Sequence, residues 1–445
     1  MAEGRSRPAW AEVDLAAIRH NVALLRRLSA PADLCAVVKA AAYGHGAVAV
    51  ATAAVDAGAA CLAVAMVDEG VELRDAGITQ PILLLSEPPE GSEATVVSAG
   101  LIPTVASEQV VARLAAAARG AARSAGRGAA AGAVKGAARP PAAGGTFPLS
   151  RRGPLPVHLK VDTGMHRVGA DPGDVPALVK AVQAEPELRL GGLWTHLAVA
   201  DGTDDDDRAF TSVQLDRFDA AVTAATAATG DPAATGDGPP RPVLHAANSA
   251  AAIAWPRARY DLVRCGIAVY GELPAPALAG TLADVAGGDT LRPALSLKAR
   301  VTAVRQLDAG ERPSYGRRRP LPGRSVVATV PLGYADGLPR ALFDAGFSVL
   351  VGGRRRPLAG MVTMDQIVVD CGPDATVAVG DEVVLLGRQG DQAVTTAEWA
   401  SLLGTIGYEV LCGIGPRVPR TYVDRARDRA PDGSDSDGGP MKVAR

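Results

Sequence analysis

Leu34-Cys-Ala-Val-Val-Lys-Ala-Ala-Ala-Tyr-Gly-His-Gly46 runs apolar for five residues, stops on Lys39, and passes through Tyr43 into a Gly-His-Gly turn. A short apolar run bounded by turn residues is the pattern of a strand covered on both faces. Working outward, similar runs recur at 62–67, 82–85, 101–105, 157–161, 188–194, 243–245 and 261–263. Segments 47–57, 67–76 and 207–228, lying between them, carry helical apolar spacing. Strand and helix alternating eight times is the signature of an α/β fold, a (β/α)8 TIM-like barrel.

Beyond residue 290 the texture changes. Segments 294–307, 325–331, 349–351, 366–369 and 382–386 are short, Val-rich and separated by Gly, Pro and Asp, which predicts a mostly β C-terminal domain. Residues 10–13 read as a strand ahead of the first helix, with Asp14 as its N-cap. The expected organisation is a barrel over 12–285, a β domain from 1–11 and 290–422, and a disordered tail over 423–445. Two low-complexity stretches, 115–146 (Ala, Gly and Arg) and 229–242 (Gly and Pro), read as loop insertions that bury too little to offset their chain entropy.

Composition removes several function classes. The net charge of -2 over 445 residues gives no overall field for nucleic acid or anionic lipid. The basic residues of the first insertion lack interleaved aromatics for base stacking. Five cysteines, none in C-x-x-C spacing, argue against a disulfide framework or a zinc ribbon. The N-terminus lacks an apolar signal core, and the most apolar window, 47–67, is broken by Asp56 and Gly58. A cytoplasmic protein with no membrane span is expected.

Reactive side chains collect just after the predicted strands, where a barrel builds its active site. Lys39 and Tyr43 follow the first; Lys160, Asp162 and Arg167 the fifth; His196 the sixth; Asn248 and Ser249 the seventh; Arg264 and Gly266 the eighth. A lysine ending an apolar strand is partly desolvated, which lowers its pKa and suits it to Schiff-base chemistry. From this fragment alone, a solvated lysine at a strand end explains it as well. The turns His245-Ala-Ala-Asn-Ser249 and Arg264-Cys-Gly-Ile267 can supply a hydroxyl and backbone N–H groups to a phosphate, or be ordinary turns. Together with the lysine they suggest pyridoxal 5'-phosphate. Arg167 can bind a carboxylate bidentately or pair with Asp162. His158 and His166, eight residues apart, match no metal-ligand spacing, so no metal is expected.

Taken in order, these motifs resemble one family, the alanine racemases of fold type III. They are Val38-Lys-Ala-Ala-Ala-Tyr-Gly-His-Gly46, Leu159-Lys-Val-Asp-Thr-Gly-Met-His-Arg167, Thr195-His196, Asn248-Ser249 and Val263-Arg-Cys-Gly-Ile267. Further on come Val269-Tyr-Gly271, Ser314-Tyr-Gly316, Pro331-Leu-Gly-Tyr-Ala-Asp-Gly337, Met364-Asp-Gln366, Ile406-Gly-Tyr-Glu409 and Arg417-Val-Pro-Arg420. The resemblance covers about residues 8–422. It departs at Ala41, where the family usually has Asp or Asn, at Cys265 for Pro, and at His166 for Gly.

The resemblance implies an isomerase that interconverts L- and D-alanine on pyridoxal 5'-phosphate and supplies D-alanine for peptidoglycan. It implies that Lys39 carries the cofactor and is the base on the D face. Tyr315, supplied to the barrel of the second subunit of a homodimer, is then the base on the L face. Tyr43, Asn248, Ser249, Gly266, Ile267 and Tyr408 resemble residues that bind the cofactor, mostly its phosphate. His196 resembles the imidazole stacked on the cofactor ring, and Arg264 the partner of the ring nitrogen, held by His245. Arg167 and Met364 resemble substrate-carboxylate binders, with Asp365 supporting. Lys160 resembles a lysine that is carbamylated in many members. The chemistry is coherent, because moving a proton from one face of Cα to the other calls for two bases. An arginine stays protonated and does not pass its proton to the ring. Alternatives within the fold are a broader amino-acid racemase, a basic-amino-acid decarboxylase or a non-catalytic cofactor carrier. The decarboxylase is disfavoured because that class sets a glutamate at the ring nitrogen.

Overall fold

The structure is a computed structural model that describes residues 7–128, 153–229 and 241–425. Among the described residues, nine strands precede residue 290: β1 (Ala9–Asp14), β2 (Asp33–Val37), β3 (Cys61–Val64), β4 (Ile82–Leu84), β5 (Thr104–Val105), β6 (Leu155–Lys160), β7 (Leu188–Trp194), β8 (Val243–His245) and β9 (Leu262–Cys265). The runs β9-β2-β3-β4 and β5-β6-β7-β8 are all parallel. Leu84 N–H donates to Ile102 O at 2.8 Å and Ile102 N–H to Ile82 O at 2.8 Å, joining β4 to the β5 segment. Asp261 N–H donates to Leu244 O at 3.0 Å and Arg264 N–H to Ala247 O at 2.9 Å, joining β8 to β9. The ring therefore closes as the predicted barrel. Every residue of β3 and β9 is buried, because helices cover the outside and side chains fill the inside. That double coverage makes these strands read as unbroken apolar runs.

The C-terminal strands are β10 (Leu295–Arg300), β11 (Ala303–Leu307), β12 (Ser325–Val330), β13 (Ser348–Val351), β14 (Arg354–Pro357), β15 (Ile367–Asp370), β16 (Glu382–Gln389), β17 (Gln392–Val394) and β18 (Arg420–Val423). One sheet runs β14-β13-β16-β10-β1-β18, with β17 on β16, and a second runs β11-β12-β15. Alternate residues of β10 face the core, the pattern of a sheet covered on one side. All of β1 lies in this sheet, antiparallel to β10 and parallel to β18, so the sheet takes residues 9–14 rather than stopping at 11. Asp14 does cap the first helix, Leu15–Ser29, accepting from Ala16 N–H and Ala17 N–H.

Three further expectations change. Residues 115–128 are not loop but the continuation of helix Glu108–Gly128, with Leu114 and Ala115 fully buried. Ala and Arg are strong helix formers, and one apolar stripe is enough to pack. The rest of that insertion, and 230–240, lie outside the described residues. Val423 belongs to β18, and Asp424 pairs with Arg19, so the predicted tail begins later; 426–445 lie outside the described residues. The run at 62–67 ends as a strand at Val64, and Val67 opens a helix, Val67–Asp75.

Candidate active site

Of the predicted residues, Lys39, Lys160, His196 and Arg264 stand at or just beyond the C-terminal ends of barrel strands. Lys39 follows β2, and the chain then turns left-handed: Ala40, Ala41, Ala42 and Tyr43 have φ of 53, 50, 54 and 51°. Left-handed conformation costs L-residues about 1–2 kcal/mol each, so the surroundings must hold it. They do so from four directions. Glu69 accepts from Ala40 N–H at 2.6 Å, and His45 Nδ1 lies 3.1 Å from Ala42 O and 3.0 Å from Tyr43 O. Arg420 Nε donates to Gly44 O at 2.8 Å, and the Tyr270 hydroxyl donates to Val37 O at 2.7 Å. Lys39 is half-buried; desolvation chiefly, and Arg167 next, pull its pKa below the usual 10.5, against an opposing pull from Glu69.

On the neighbouring strand β9, Arg264 stands in register with Cys35 and is 3% exposed, so its charge must be met within the barrel. Its guanidinium donates to Thr195 O at 2.7 Å and Ala246 O at 3.1 Å, and lies 2.9 Å from His245 Nδ1 and 3.4 Å from His196 Nδ1. Its carbon sits 4.6 Å from the Trp194 ring centroid. A guanidinium offers only donors, so both Nδ1 atoms accept and both imidazoles carry their proton on Nε2. His245 Nε2 then donates to His158 Nδ1 at 2.9 Å. Burial first, and the Arg264 cation second, hold His196 and His245 neutral; burial takes His158 down to about 3. Arg264 itself falls only to about 10 and keeps its proton at neutral pH.

A cluster of donors forms beside this pair. Ser249 Oγ accepts from Gly266 N–H at 2.9 Å and from Ala268 N–H at 3.4 Å, and Ile267 opens the adjoining turn. A Cβ on Gly266 would stand 2.4 Å from the Tyr43 hydroxyl, so only glycine lets the phenol in. The Tyr43 and Tyr408 rings lie 6.1 Å apart, and burial raises both phenol pKa values, keeping them as donors. Asn248 is spent differently: its side chain accepts from Ala251 N–H at 3.0 Å, capping helix Ser249–Ala254 and fixing Ser249.

Lys160 Nζ lies 4.5 Å over the Trp194 ring, and burial, then Arg264 and Arg167, lower its pKa to about 8. Asp162 does not pair with Arg167. It accepts from Gly164 N–H at 2.9 Å and His166 N–H at 3.0 Å, bracing a turn with His166 at φ 53° that holds Arg167 exposed. Tyr315 and Met364 are not brought into their own barrel: they are 74% and 52% exposed. Ser314 is held at φ 69°, ψ -175°, with Oγ donating to Met361 O at 2.7 Å, so Tyr315 stands on a strained, anchored turn. Asp365 is tied to Arg417 at 2.6 Å. Glu69 and the His158–His245 link carry no signal in the sequence, because their partners are distant in the chain.

Pyridoxal 5'-phosphate needs an amine, donors for a phosphate and a partner for its ring nitrogen. Lys39, the Tyr43–Ser249–Gly266–Tyr408 cluster and Arg264 fit these needs, and a side chain on Gly266 would crowd the Tyr43 hydroxyl out of that cluster. Fold and site thus define a pyridoxal-phosphate barrel enzyme with an appended β domain. Residues 13–274 match the family described as "Alanine racemase, N-terminal domain", and residues 294–422 match "Alanine racemase, C-terminal domain". The chain belongs to the alanine racemase family. An alanine racemase of Symbiobacterium thermophilum is 43% identical over 416 residues, 94% of this chain and 97% of its own length. The crystal structure of alanine racemase from the D-cycloserine producer Streptomyces lavendulae superposes with a TM-score of 0.78 at 37% identity, covering 95% of this chain and 98% of that one. The Streptomyces coelicolor A3(2) structure gives 0.77 at 39% identity, covering 94% and 98%.

Proposed function

We infer that the chain interconverts L- and D-alanine, and that Lys39 of one subunit and Tyr315 of a second copy act as opposing bases. The D-alanine formed serves peptidoglycan synthesis, and the reaction takes place in the cytoplasm. The observation that carries the reading is the buried Arg264, a cation with two neutral imidazoles facing it, set beside the lysine strand. When bound, pyridoxal 5'-phosphate supplies the electron sink that acidifies the substrate Cα–H. Tyr43, Ser249, Gly266, Ile267 and Tyr408 hold its phosphate, Asn248 fixing Ser249 from behind. Arg264 would face the ring nitrogen and keep its own proton, because its pKa of about 10 stays above working pH. That weakens the sink and favours simple proton return over side reactions.

Lys39 removes or returns the proton on one face; its lowered pKa enlarges the share of free amine available. Tyr315 serves the other face. Its exposure on a rigid turn supports a destination outside its own chain, and the homodimer follows from that need. His196 presents Nε2–H, the tautomer Arg264 enforces, and this donor stabilises the Tyr315 phenolate. Arg167 and the Met364 amide of the second subunit bind the substrate carboxylate. Lys160, with a pKa lowered to about 8, offers a larger share of the free amine that carbamylation requires, and the anionic carbamate so formed orients the Arg167 cation. No helix among the described residues is long and apolar enough to cross a membrane. Incubating the protein with a panel of L-amino acids in deuterated water, followed by chiral analysis, tests the reading. Deuterated D-alanine is expected; an unchanged L-alanine sample would overturn it.

A further inference from the structure

Glu69 bridges the C-terminal ends of the paired strands β2 and β3 with both carboxylate oxygens occupied. Oε1 accepts from Ala40 N–H at 2.6 Å, the first amide after Lys39. Oε2 accepts from Ala65 N–H at 2.8 Å and Met66 N–H at 3.0 Å, at the start of helix Val67–Asp75. One side chain therefore ties the end of β3 to the backbone that carries the lysine. The segment it holds is the left-handed run Ala40–Tyr43, built here from three alanines and a tyrosine, none of which favours positive φ. Ala41, at φ 50°, ψ 45°, occupies a position where Asn or Asp, which tolerate this conformation better, would ease the strain.

We propose that Glu69 is a positioning residue for the racemisation, clamping the strained backbone after Lys39 so that the amine stays aimed at the reacting carbon. This rests on Lys39 being the cofactor lysine. A carboxylate is required, not merely a polar group of that shape. Gln has one acceptor oxygen, so it can serve Ala40 or the Ala65–Met66 pair, and its NH2 must then face an N–H on the other side. The charge acts in the same place: Glu69 opposes the pull of burial and Arg167 on the lysine pKa. A plain helix-capping role would involve only the Ala65–Met66 side.

The test uses the holoenzyme carrying Glu69→Gln, alone and with Ala41→Gly, which removes the left-handed penalty at one residue. Deuterium exchange is followed in peptides spanning 38–46 and 65–75, with cofactor release after dilution and steady-state kinetics measured alongside. Exchange in 38–46 and cofactor release should each rise about tenfold. kcat should fall roughly 10- to 100-fold with little change in KM, as for an amine misplaced by a fraction of an ångström. Ala41→Gly should return part of each loss. Exchange that rises only in 65–75, with cofactor release unchanged, would overturn the proposal in favour of capping. A wild-type protein that fails to racemise alanine would instead sink the functional reading, and the exchange data would still report on the clamp.

Discussion

Replacing Gly266 by alanine probes the cofactor cradle with one methyl group. The new Cβ would lie 2.4 Å from the Tyr43 hydroxyl oxygen and 3.0 Å from its ring carbon, against 3.4 Å or more in ordinary contact. The phenol must retreat by about 1 Å, yet it is packed against Tyr270 with ring centroids 4.8 Å apart and has little room to move. Overpacking of this kind costs about 1–3 kcal/mol. If the cost falls on the phosphate ligands, cofactor affinity drops roughly 5- to 150-fold. Titrating pyridoxal 5'-phosphate into cofactor-depleted protein measures it. Adding Tyr43→Phe removes the 2.4 Å contact, so the double variant should lose less than the two single losses combined. A Gly266→Ala protein that binds the cofactor like wild type would refute the reasoning, as would strict additivity.

Two further outcomes are expected. Tyr315→Phe should slow exchange of the Cα proton of L-alanine with deuterated solvent at least about 100-fold more than exchange from D-alanine, in line with loss of one acid–base group; equal losses would contradict the assignment of faces. Glu272 accepts from Thr396 at 2.7 Å, and burial raises its pKa from 4.5 to about 7. Its native state therefore favours the protonated form, and the associated stability is present below pH 4.5 and lost as pH rises through 7. Glu272→Gln should raise thermal stability at pH 8, by up to about 3 kcal/mol, and change it little at pH 4.5; an equal effect at both pH values would count against this.

Much of the fold was legible because its strands are dry on both sides. The run ending in Lys39 carries no polar face to blur it, and β7, despite Arg189, and β8 fall where predicted. What misled was composition and the reach of single side chains. The Ala- and Arg-rich start of the first insertion looked too simple to pack, but Leu114 and Ala115 need only one stripe to dock the helix. β14 is Arg-Arg-Arg-Pro at a sheet edge, largely exposed, and no apolar periodicity marks it. The placement of reactive groups was legible where motif and strand end coincide, as at Lys39 and Arg264. Glu69 was not, because its meaning lies in an amide 29 residues away. His245 was legible as a support for Arg264, but the relay to His158 depends on two strands brought side by side only in the folded barrel.

In the proposed arrangement two chains furnish one site. Lys39→Ala and Tyr315→Ala proteins, each inactive alone, should be mixed in equal amounts, unfolded and refolded together. Random pairing makes half the dimers mixed, and each mixed dimer holds one intact pair of bases, so activity should recover to roughly a quarter of wild type. A mixture that forms mixed dimers and stays inactive would contradict the account.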